Sequence, residues 1–161
     1  MRKSSAVKSP AVARRLIVLA FLAAGCGLGQ APHMAVGSEC IQGDVTLQLE
    51  AGITTACASY LTAVVGYYEE YVAKFGEVGP VTVRMRATND LRTTGVSEKF
   101  VVGGHTYDGA VVDVIQDGTL YVAHEVRHVQ LGGGHSGWCV VYAPWSKAVV
   151  GWDQDDYLGC H

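Results

Sequence analysis

Residues 119–135 read Thr-Leu-Tyr-Val-Ala-His-Glu-Val-Arg-His-Val-Gln-Leu-Gly-Gly-Gly-His. Val122, Val126 and Val129 recur at spacings of four and three, which predicts a helix over 119–131 with one apolar stripe. Thr119 or Asp117 is placed to cap it, and the Gly132-Gly133-Gly134 run stops it. His124 and His128 fall on a different face. Residues four apart project from one helix side about one turn apart, so two imidazoles so placed can grip one cation. Glu125 lies beside them without being needed as a ligand, where it can take a proton from an activated water. With six His and seven Glu in 161 residues, chance would supply roughly 0.01 such H-E-x-x-H patterns.

A hydrolytic zinc site needs a third protein ligand and one open position. His135 is the leading candidate, because the glycine stop lets the chain turn back under the helix. Asp153, Asp155, Asp156 and His161 are rivals.

The elements around this helix are fewer. Ala110–Ile115 reads as a strand, closed by Gln116-Asp117-Gly118. Phe100–Tyr107 reads as a hairpin with Gly103-Gly104 at its turn and His105 close by. Val81–Thr88 alternates, with Val81, Val83 and Met85 on one face and Thr82, Arg84 and Arg86 on the other. Residues 54–75 read as a helix capped by Thr54 or Thr55, with Ala58, Leu61, Val65, Tyr68 and Val72 on one face and Gly76 at its end. Glu70 and Lys74 form a favourable pair on its solvated side. Trp138, Trp145 and Trp152 are expected in the core. A helix, a few strands and a second helix predict an α+β fold.

The N-terminus has a separate logic. Residues 1–25 hold five basic residues and no acid; the rest holds seven basic and 15 acidic residues, a formal net charge of −8. A body that acidic excludes sequence-independent nucleic-acid binding. The apolar run 16–24 is too short to span a bilayer and has the build of an export signal. Leu22-Ala23-Ala24-Gly25-Cys26 resembles the lipobox of bacterial lipoproteins. That resemblance implies cleavage after residue 25, lipidation of Cys26 and a membrane anchor, at the outer membrane in a Gram-negative host since Gly27 follows. Residues 26–39 then form the lipidated cysteine and a tether, and 40–161 the folded domain. His33 in the tether reads as solvated. Cys40, Cys57, Cys139 and Cys160 are an even set in an exported chain, which predicts two disulfides with the pairing open.

The stretch His124–Ser136 also resembles the zincin metallopeptidases, most of all the metzincin branch with its H-E-x-x-H-x-x-G-x-x-H pattern. The resemblance implies a compact zincin-like domain, with a small mixed sheet, a backing helix and an active-site helix. Zn²⁺ would be held by His124, His128 and His135, Glu125 would be the catalytic base, and the substrate a peptide or protein. It also implies that the strand before the helix, here Ala110–Ile115, lies along the cleft. In that family a Tyr or His often steadies the oxyanion; Tyr142 and Tyr157 are the candidates. Three departures stand out: His128 and His135 are seven apart rather than six, no methionine follows Met85 to form a Met-turn, and the folded body is short. The sequence therefore leaves three functions in play: a cell-envelope zinc peptidase, a non-catalytic binding lipoprotein derived from one, and a zinc hydrolase of cell-wall amides.

Overall fold

A computed structural model of the chain describes residues 29–87, 104–132 and 134–160. Its architecture is α+β. Among the described residues the sheet has five strands: β1 (Val36–Gln42), β2 (Val45–Glu50), β3 (Val81–Arg86), β4 (Gly104–Tyr107) and β5 (Val111–Ile115). They lie in the order β1-β2-β3-β5-β4. The two outer pairs are antiparallel and the β2–β3 and β3–β5 pairs are parallel.

The first hairpin escapes the sequence reading, although its signals are present. Val45, Leu47 and Leu49 are buried while Thr46, Gln48 and Glu50 are partly exposed, the period of two that a half-buried strand requires. Gly43, at φ 57°, supplies the left-handed residue of a two-residue turn.

Helix α1 (Cys57–Phe75) crosses from β2 to β3. It starts at Cys57, later than expected, behind Ala56, with no side-chain cap from Thr54 or Thr55. Its buried face is Cys57, Leu61, Val64, Val65, Tyr68 and Tyr71. Ala58 is exposed and Val72 only half-buried, so the packed stripe is rotated from the expected one. Gly76 ends the helix as expected.

A 3₁₀ turn (Thr119–Tyr121) leads into α2 (Val122–Leu131), again without a side-chain cap from Thr119 or Asp117. Gly132, at φ 66°, stops it. Then come α3 (Trp138–Trp145), a π-helical turn (Ser146–Val150) and α4 (Asp155–Leu158). α2 is held to α1 through Gln130, which accepts from the Tyr71 hydroxyl and donates to the Phe75 carbonyl at 3.0 Å. The Arg127 guanidinium lies over the rings of Phe75, Trp138 and Tyr142, at 4.7, 5.1 and 5.1 Å from their centroids, a cation–π arrangement that joins three helices.

The hairpin turn expected at Gly103-Gly104 is corrected in part. Phe100–Gly103 lie outside the described residues, but Gly104 is the first residue of β4. β4 pairs with β5 around Asp108-Gly109-Ala110. Both faces of β3 are buried: the apolar side packs on the helices, while Arg84 and Arg86 converge on Asp113 of β5. Arg86 also reaches Glu50 at 2.9 Å. Buried charges of this kind are tolerated when each has partners.

Disulfides join Cys40 to Cys57 and Cys139 to Cys160, the two local pairings. Such bridges persist in an oxidising environment. No helix among the described residues is long and apolar enough to cross a membrane.

Candidate metal centre

α2 starts with Val122, Ala123 and Val126 fully buried against the sheet and α1. That anchoring leaves His124 and His128 on the side facing the incoming 134–138 segment. The glycine stop returns the chain, and three imidazole nitrogens meet. The Nε2 atoms of His124 and His128 are 3.2 Å apart, those of His128 and His135 3.1 Å, and those of His135 and His124 3.2 Å. Tetrahedral ligands at about 2.0–2.1 Å from a zinc ion are separated by about 3.3 Å, so the triangle fits one ion shared by three imidazoles.

The donor chemistry fits as well. His124 Nδ1 is 2.7 Å from the Gln154 side-chain oxygen, so Nδ1 carries the proton and Nε2 keeps its lone pair for a cation. Gln154 in turn donates to the Ser146 hydroxyl at 2.6 Å, and Ser146 to the Trp152 carbonyl at 3.2 Å. Burial, reinforced by neighbouring His128, pushes the His124 pKa down from 6.5 to about 3, and burial also lowers that of His135. These rings are therefore neutral at ordinary pH, the state in which an imidazole coordinates.

Trp138 is fully buried beneath the cluster. Its ring centroid lies 4.9 Å from His124, 4.7 Å from His128 and 4.7 Å from His135. Trp145 packs into the core with Phe75, as expected. Trp152 stays partly exposed beside His124, at 5.3 Å between centroids.

Glu125 is 3% exposed. The Thr106 hydroxyl lies 2.6 Å from its Oε2 and 3.0 Å from its backbone carbonyl. A Cβ on Gly104 would meet Glu125 Oε1 at 2.7 Å, so only glycine lets the carboxyl pack flat on β4. Burial pushes the Glu125 pKa up to about 8, against the opposing pull of the Thr106 bond; a divalent cation nearby would draw it back down. A cleft of about 110 Å³ opens over these groups, lined by Gly104, His105, Thr106, His124, Glu125, His128 and Tyr157. A larger groove of about 460 Å³ runs outside α1 past Ala63, Gly66 and Tyr67, away from the histidines.

Among the described residues His124, His128 and His135 form the one group of potential ligands close enough to share an ion. Asp153 instead pairs with Lys147. Asp155 is not brought into the cluster, and the Asp156 side chain and His161 lie outside the described residues. Tyr142 is fully buried in the core, whereas Tyr157 is 40% exposed on the cleft, its ring 5.2 Å from that of His135. The cleft strand is β4, at the sheet edge among the described strands; the expected Ala110–Ile115 strand lies inside, between β3 and β4. Gly104, Thr106 and Gln154 were missed by the sequence reading, since no spacing links them to α2.

The chain matches no known protein-family model, no curated protein and no solved structure.

Proposed function

We propose that this protein is a zinc-dependent peptidase of the cell envelope, exported and anchored through Cys26. The observation that carries the reading is the triangle of Nε2 atoms at 3.1–3.2 Å with a buried carboxyl on the neighbouring residue. Zinc, when bound, supplies Lewis acidity: it polarises a carbonyl and acidifies water. His124, His128 and His135 hold it, and Gln154 fixes the tautomer of His124. Glu125 takes the proton from the attacking water and returns it to the leaving amine. Thr106 and Gly104 hold that carboxyl in one orientation. Trp138 forms the apolar floor that a Met-turn gives the resembled family. Among the described strands β4 lies at the sheet edge, where an extended peptide would add as another strand. Tyr157, rather than Tyr142, is placed to steady the developing oxyanion.

The test is zinc content and cleavage of a mixed peptide library by wild type and Glu125→Gln. The expected result is about one zinc per chain in both, with hydrolysis in wild type reduced by roughly 10²-fold or more in the variant. Zinc-loaded wild type that cuts nothing the variant spares overturns the peptidase reading. The deep burial of Glu125 favours one competitor, a non-catalytic metal-bearing binding module. On that reading Glu125→Gln leaves every binding function intact.

A further inference from the structure

We propose that the anchor holds the cleft close to the bilayer on a leash three residues long, so that the site serves peptide segments lying next to the membrane surface. The substrate class rests on the peptidase reading above, and the leash on lipidation of Cys26. The sequence suggests a loose tether through Ser38, but from Gly29 onward the chain is fastened to the domain. The Ala35 carbonyl accepts from Ala51 N at 2.7 Å, the Pro32 carbonyl from Arg84 Nη1 at 2.7 Å, and the Gly29 carbonyl from Asp108 N at 2.8 Å. Met34 is 7% exposed. Arg84 is itself clamped by buried Asp113, so the Pro32 contact is made to a fixed group.

The path from anchor to site is therefore short. Three Cα steps separate Cys26 from Gly29, at most about 11 Å. The hydrogen-bonded backbones of Gly29 and Asp108 add about 5 Å. Asp108 lies two strand steps, about 7 Å, beyond Thr106, which touches Glu125. The Thr106 side chain and its 2.6 Å bond add about 5 Å more, so the carboxyl that acts as base lies within about 28 Å of the acylated residue. A free twelve-residue tether would by itself reach about 40 Å, against about 11 Å here, and allow a wide range of orientations. The acidic body gives no attraction to anionic lipid, so the leash sets the height. The site's substrates are extended juxtamembrane stretches of membrane-embedded or lipid-anchored proteins.

The test uses the full lipidated chain in phosphatidylcholine vesicles with a fluorogenic mixed-sequence peptide held by an acyl chain. The peptide stands on a polyproline spacer of about 6 or about 24 residues, roughly 19 or 74 Å long. Wild type is expected to cut the short-spacer peptide roughly tenfold faster. A polyproline insert of the longer length between Gly27 and Leu28 should erase that preference while leaving cleavage of soluble peptide unchanged. Equal wild-type rates at both spacers overturn the leash and leave the peptidase reading standing. If no peptide is cut at all, the peptidase reading fails, and reflectometry of the lipidated protein on a supported bilayer judges the leash. A water gap of no more than about 11 Å between headgroups and protein supports it; a wider gap, or protein that does not stay on the bilayer, overturns it.

Discussion

Gln154 accepts the Nδ1 proton of His124 at 2.7 Å across 30 residues of sequence, and is itself fully buried. It fixes which nitrogen His124 presents to a metal. Outer partners of this kind are worth about 10–100-fold in metal affinity. Gln154→Ala should weaken zinc binding by about that factor with the fold intact, read by chelator competition alongside circular dichroism. An unchanged affinity would show that the ring is oriented by packing on Trp138 alone.

Gly104→Ala puts a methyl group 2.7 Å from Glu125 Oε1 and 2.9 Å from its Cγ. The carboxyl must shift, while the three imidazoles are untouched. Peptide cleavage should fall by roughly 10²-fold, the scale of a misplaced catalytic group, with zinc content unchanged by atomic absorption.

Thr106→Val removes a hydrogen bond that favours the ionised form of Glu125. Its pKa should then rise, because losing a donor disfavours the carboxylate. Since the base acts deprotonated, the acidic limb of the pH profile of kcat/KM should move to higher pH. A limb that stays put would assign it to another group.

The metal-free protein should show opposed pH effects on stability. His124 titrates near 6.5 when unfolded and at about 3 when folded, so the unfolded chain holds the extra proton and stability falls as pH drops through that window. Glu125 titrates near 4.5 unfolded and about 8 folded, so the folded chain holds the extra proton and stability falls as pH rises through that window. Wild type should therefore lose stability between about pH 6.5 and 8, and metal-free Glu125→Gln should not. Urea midpoints across pH 4–9 check this.

The two disulfides should separate in effect. Cys139–Cys160 ties α3 to the segment bearing Gln154 and Tyr157; Cys40–Cys57 ties β1 to α1. Replacing either pair by alanine should cost about 3 kcal/mol for loops of this length. Only the Cys139/Cys160 pair should also weaken zinc binding.

The grouping of His124, His128 and His135 was legible in the sequence because a helix fixes residues four apart on one side and a glycine stop lets the next histidine return. The groups that tune it were not. Gly104 and Thr106 act through the register of β4 against α2, and Gln154 through a turn after α3. Such pairings depend on tertiary approach, which no local period encodes. The same reason hid the cleft strand: the run nearest α2 in sequence, Val111–Ile115, lies inside the sheet, and the strand before it takes the edge. The first hairpin was legible and missed, since Val45, Leu47 and Leu49 alternate plainly behind Gly43. The arginines of β3 were legible in position only; that they turn inward follows from Asp113 arriving on the neighbouring strand.

Every contact within the histidine cluster closes a short loop, of 4, 7 or 11 residues, and the bond to Gln154 one of 30. The entropy lost in closing a loop grows only with the logarithm of its length. This centre thus draws its parts from one contiguous C-terminal span, with little chain to be searched when they come together. The first hairpin and α1 contribute none of these residues and serve as the wall on which that span condenses.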